Sequence, residues 1–118
     1  MLLLGPHSRV FRFGKAGVDL AAERAIAAER DGRKIAVEVK SFVGRSPVYD
    51  FEVALGQYML YFGLLELTEP DRKLYMAISH IVYHLLFQQP TFQVIRQRFQ
   101  ISLLVVNVTA QEVEQWTD

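Results

Sequence analysis

The sequence contains no cysteine. That removes disulfides, thiolate nucleophiles and cysteine-ligated zinc together, and leaves His7, His80 and His84 as the imidazole ligands. An excess of charge of one sign is also missing, since 13 Lys and Arg residues balance 13 Asp and Glu. No global positive field draws nucleic acid in, so any DNA contact must come from a local patch. No stretch approaches the length of a membrane span. The opening Met1-Leu2-Leu3-Leu4 is apolar, but it lacks a basic flank and the roughly 7–15 residues of a signal-peptide core. A soluble, cytoplasmic protein is the expectation. The Ser and Thr residues show no nucleophile-elbow context, and there is no glycine-rich phosphate loop.

What is present is a folded composition: 51% of the 118 residues are hydrophobic, enough for one real core and too few residues for two. A single domain over 1–118 follows. Residues 1–14 read as irregular, with a strand-like alternation at Val10-Phe11-Arg12-Phe13. Residues 25–29 and 34–40 flank Asp31-Gly32, the strongest short hairpin signal in the chain. In Ile35-Ala36-Val37-Glu38-Val39-Lys40 the branched residues point one way, and Ala36, Glu38 and Lys40 the other.

Residues 48–67 carry Phe51, Leu55, Tyr58, Phe62 and Leu65 at helical spacing, and Pro70 stops that helix. Lys73–Ser79 is a buried-strand candidate. Residues 80–88 are expected to be helical, Pro90 interrupts, and 92–99 resume a helix. Ile101–Val108 has the Val- and Leu-rich run of a strand covered on both faces. The tail from Ala110 is acidic and expected to be peripheral, apart from Trp116. The order predicts an α/β (α+β) domain with a hairpin and a mixed sheet flanked by helices.

The chemistry centres on Glu38 and Lys40, two apart on one strand face. Hydrolysis of a phosphodiester calls for a divalent metal that polarises the phosphate and activates water. Hard Mg2+ or Mn2+ prefers carboxylate and carbonyl oxygens. Glu38 needs a second acid, and Asp19, after Gly17-Val18, is the candidate, with the carbonyl of Val39 as a third ligand. Lys40 is placed to orient the attacking water or offset phosphate charge. The ordinary alternative is a half-solvated sheet face, where Glu and Lys are common.

Geometry complicates Asp19. A turn at Asp31-Gly32 sets Glu38 opposite Ala25, and Asp19 lies six residues further out, roughly 20 Å along a straight strand. Glu23 shares the parity of Ala25 and is closer, so it rivals Asp19 as the second acid. Gln57, beside Asp50, Ala54 and Tyr61 on its helix, can hydrogen-bond Glu38, Lys40 or a phosphate, or can be a solvated boundary residue. His80 and His84 have a zinc-compatible spacing but no carboxylate in ligand register. Arg96 and Arg98 can touch phosphate or simply form a solvated helix face.

The stretch from Val18-Asp19-Leu20-Ala21-Ala22-Glu23-Arg24 to Glu29, followed by IAVEVKSF at 35–42, resembles the XisH-type family, the fdxN element excision controlling factors of cyanobacteria. The likeness continues through Ala54-Leu55-Gly56-Gln57-Tyr58, Glu69-Pro70-Asp71-Arg72, Leu74-Tyr75-Met76-Ala77 and Val94-Ile95-Arg96-Gln97-Arg98, covering about 14–116. The resemblance implies a restriction-endonuclease-like PD-(D/E)XK core, a role in programmed DNA-element excision, and a companion protein of the XisI type. It implies Asp19, Glu38 and Lys40 as the nuclease triad and Gln57 as the helix residue beside it, with Mg2+ or Mn2+ as cofactor. Two departures are expected to matter. The family's helix ahead of the first strand has no counterpart here, and Ala21 stands where the family has glycine. A sheet lacking that covering helix should expose apolar area and favour a homo-oligomer.

Overall fold

The computed structural model describes residues 8–12, 24–42 and 44–117. Strands β1 (Ser8–Arg12), β2 (Arg24–Arg30), β3 (Arg33–Val39), β4 (Lys73–Ser79), β5 (Leu103–Asn107) and β6 (Glu112–Thr117) form one mixed sheet in sequence order. The helices are α1 (Pro47–Thr68), α2 (His80–Leu86) and α3 (Pro90–Arg98). The class is α+β, as the order of signals along the chain predicts. No helix among the described residues is long and apolar enough to cross a membrane.

The hairpin is set by its turn. Asp31 and Gly32 both adopt positive φ, 52° and 77°, the backbone that a two-residue turn matched to strand twist requires. That turn fixes the antiparallel register, Arg30 opposite Arg33 and Ala25 opposite Glu38. The second pairing is the one the sequence predicts. β1 pairs antiparallel with β2 over its full length, so 8–12 are strand rather than irregular.

β3, β4 and β5 run parallel, and each step needs a helical crossover. Both steps go in the same direction across the sheet, so crossovers of one hand place their helices on one face. There Phe51, Ala54, Tyr58, Tyr61 and Leu65 of α1 pack with Leu86, Phe87 and Phe92 over Leu74, Met76, Ile78, Leu103 and Val105. The rings of Phe51, Phe87 and Phe92 meet edge to face, an arrangement aromatic quadrupoles favour.

Helix limits follow local chemistry. Ser46 caps α1, its Oγ accepting from the Tyr49 N–H at 3.1 Å, with Pro47 in the first helical turn. Ser79 caps α2 in the same way through Val82. Pro90 does not interrupt a helix but begins one, since its missing N–H costs nothing at that position. Arg72 clasps the turn before β4 to the hairpin, donating from Nη1 to the carbonyls of Ala28 and Ile35 at 3.2 and 2.8 Å.

Two further expectations need correction. The acidic tail is not peripheral: Glu112–Thr117 forms β6, antiparallel to β5. Trp116 joins the smaller core on the other sheet face, with Ile35, Val37, Tyr75, Ala77, Leu104 and Val106. The buried stripe of α1 is also not the expected one, because Phe62 is half exposed and Tyr61 is fully buried.

Candidate functional site

The alternation of β3 sends Ile35 and Val37 into the smaller core and Ala36 toward the helices. Glu38 shares the helix side by strand parity. It sits beside Ala25 on β2 and Met76 on β4, and no part of it reaches solvent. The backbone N–H of Lys40 donates to the Ala77 carbonyl at 3.0 Å, extending the parallel ladder one step past β3. Its Nζ stands 3.9 Å from Glu38 Oε1 and its side chain is only 9% exposed. At that separation the pair is a Coulombic contact rather than a short hydrogen bond. Burial makes it matter more than the distance suggests, because a carboxylate withdrawn from water depends on nearby positive charge and dipoles.

Tyr58 reports on the same place. Burial pushes its phenol above the ordinary value; the Ser102 N–H partly opposes this, and the nearby Glu38 carboxylate adds to the rise. The hydroxyl donates to the Leu74 carbonyl at 3.3 Å and accepts from the Ser102 N–H at 3.2 Å. It thereby bridges the start of β4 to the approach to β5. Gln57 precedes it on α1, and its carboxamide oxygen is buried. The sequence reading placed Gln57 beside Ala54 and Tyr61 but off the apolar stripe. Those two neighbours are themselves the buried face, so Gln57 borders the core rather than a solvated boundary.

Glu38 and Lys40 thus meet at the helix-covered side of β3, and Gln57 has a buried carboxamide oxygen on α1. Asp19 and Glu23 lie outside the described residues, as does His7. Among the described residues no three His, Asp or Glu side chains form a group able to hold a metal ion. The histidines of α2 have other contacts: His80 Nδ1 lies 3.4 Å from the Val106 carbonyl, and His84 Nε2 lies 3.4 Å from Glu114.

Glu38 lines neither of two surface cavities. One, of about 750 Å3, opens at the β2–β3 turn, lined by Arg30, Arg33, Lys34 and Lys73 with Asp31 and Asp71. The other, of about 610 Å3, takes Arg72, Lys73 and Arg96 with Glu66 and Asp71. Cations outnumber acids in both, within a chain of zero net charge. Positive charge is therefore locally in excess at both. The pairs Arg33-Lys34 and Arg72-Lys73 were its sequence signal, visible only once the fold brings them together.

The family model for the XisH protein matches residues 9–114. The chain belongs to the XisH family. A crystal structure of an XisH family protein from Nostoc punctiforme PCC 73102 is 39% identical, with a TM-score of 0.76 over 80% of this chain and 74% of that one. A crystal structure of an fdxN element excision controlling factor protein from Anabaena variabilis is 43% identical, with the same TM-score and coverages. No curated protein matches. In this XisH-family chain, Glu38 and Lys40 are therefore held by a fold shared with solved relatives, beside the parallel strand β4.

Proposed function

We propose that this chain acts in excision of a DNA element, as a Mg2+- or Mn2+-dependent endonuclease built on a PD-(D/E)XK-like core. The observation that carries the reading is the juxtaposition of Glu38 and Lys40, 3.9 Å apart at the end of β3, with Gln57 bordering the same core. The family relationship supports the excision role, since one relative is an fdxN element excision controlling factor.

The donor chemistry suits a hard cation in kind, offering the carboxylate of Glu38 and the carbonyl of Val39. It does not complete a site among the described residues, so Asp19, or Glu23 in its place, has to supply the second carboxylate. When bound, the ion would polarise the scissile phosphate and lower the pKa of a water. Lys40 would offset the charge that builds on the phosphate, and Gln57 would hold Glu38 or the water in line. The full chain is incubated with supercoiled and branched DNA and Mn2+, beside a Glu38→Gln variant. Nicking by the wild type alone supports the reading, and equal nicking by both, or none by either, removes it.

A second reading has its own observation. Glu38 is sealed from solvent and Lys40 nearly so, which suits a nuclease fold kept for binding. In that case the chain is a non-catalytic partner of an XisI-type protein. Co-expression with such a protein tests it, and absence of a complex with unchanged solubility counts against it.

A further inference from the structure

Helix α1 is apolar on two opposite sides, and the described residues cover only one of them. Phe51, Ala54, Tyr58, Tyr61 and Leu65 face the sheet. Opposite them runs a second line at steps of four and three: Tyr49, Val53, Gly56, Leu60, Gly63 and Leu67. Tyr49, Val53, Leu60 and Leu67 are 63, 43, 62 and 86% exposed. A helix apolar all round is normally buried all round. The two glycines deepen the puzzle, because glycine is among the poorest helix formers. A Cβ at Gly56 or Gly63 would meet nothing within 4 Å, so packing among the described residues does not require either.

We infer that this line is the seat of a second copy of the same chain, docked antiparallel through α1 about a two-fold axis at the level of position 58 along the helix. The order of residues is self-complementary in that arrangement. Leu60 of one copy meets Gly56 of the other, Val53 meets Gly63, and Tyr49 meets Leu67. Each notch receives a larger side chain, and the two-fold repeats every contact, as an isologous interface demands. A parallel pairing instead sets glycine against glycine and leaves voids, which cost lost contacts. The exposed parts of the line with neighbouring Met59 amount to roughly 600 Å2 per copy, somewhat below the about 800 Å2 per partner of a standard interface. The helix carries no Lys or Arg, and the two-fold brings Glu52 near Glu66 of the other copy. That repulsion weakens the pair at low ionic strength, so salt should tighten it. An interface held by ion pairs would loosen instead.

The test is sedimentation equilibrium of the full chain up to about 100 µM, in the range expected of a small apolar interface, at low and high salt. The wild type should be dimeric with a dissociation constant that falls with salt. Gly56→Leu fills the notch from a position where a Cβ meets nothing among the described residues, so it should keep or raise the thermal midpoint while weakening the dimer at least about 10-fold. Leu60→Glu should do the same to the mass. A wild type monomeric at the top concentration overturns the inference, as does a Gly56→Leu dimer of unchanged affinity. A monomer that sediments with phosphatidylcholine vesicles assigns the line to lipid and also overturns it.

Discussion

Lys40 Nζ lies 3.9 Å from Glu38 Oε1, and the two side chains are almost wholly removed from water. Removing the cation alone leaves a buried carboxylate facing reduced compensation, a change that typically costs about 3–5 kcal/mol. Lys40→Met should therefore destabilise strongly in urea unfolding, and Glu38→Gln should cost less because it removes the charge itself. In the Glu38→Gln background, Lys40→Met should be nearly neutral. A coupling energy under about 0.5 kcal/mol in that double-mutant cycle would show that the pair is not energetically linked.

Tyr58 makes a pH prediction. Its phenol is raised above 10.0, first by burial, so the neutral form is favoured in the fold. The group therefore adds stability that is complete below about pH 10 and is lost as pH climbs through the folded value. Tyr58→Phe should flatten this alkaline loss. It should also cost about 1–3 kcal/mol at neutral pH, because the Ser102 N–H and Leu74 carbonyl lose their partner in the core. Urea midpoints of both proteins from pH 8 to about 11 check it, and parallel curves would count against the assignment.

How much of this was readable in advance depends on how local the cause is. The hairpin register came directly from Asp31-Gly32, because two positive-φ positions determine which residues face each other. Lys73–Ser79 also stood out, its start set by Pro70 and the turn. The tail did not. Val105 pairs with Gln115 and Val106 with Val113, so Glu114 is the extra residue of a bulge. That bulge puts Val113 and Trp116, three apart, on one face, which erases the period-two signal. The buried stripe of α1 was misread, Phe62 for Tyr61, because α1 is apolar on both sides, and periodicity cannot then say which side meets the sheet. Glu38 and Lys40 were legible as neighbours by strand parity alone. Their near-complete burial was not, since it depends on helices that arrive later in the chain.

Arg72 offers a prediction about the hairpin's attachment. Its Nη1 serves the carbonyls of Ala28 and Ile35, while Nε and Nη2 both reach Glu69 Oε1, at 3.3 and 3.1 Å. Lysine keeps the charge but cannot present this fork. Arg72→Lys should lose about 1–2 kcal/mol, with faster amide exchange concentrated in the β2–β3 hairpin. Wild-type exchange in that hairpin would mean the clasp contributes nothing.

The loop between Lys40 and α1 carries the most specific test, because it sets where Gln57's helix begins relative to Glu38. The Gly44 N–H donates to Asp50 Oδ2 at 2.8 Å. A Cβ at Gly44 would stand 2.5 Å from Asp50 Oδ1 and 2.8 Å from Oδ2, closer than a carbon and an oxygen can pack. The carboxylate is the mobile end of a side chain, so it can rotate away, but only by giving up the bond to the loop. Gly44→Ala should then cost about 1 kcal/mol, the net worth of one solvent-exposed hydrogen bond. Asp50→Ala should cost at least as much, since an acid in the first turn of α1 also favours the helix dipole. With Asp50 already alanine, nothing remains for the Gly44 Cβ to strike, and Gly44→Ala should become neutral or slightly stabilising by restricting the unfolded chain. The thermal midpoints of the two single variants and the double variant decide it, and simple additivity would mean that Asp50 is not what keeps position 44 a glycine.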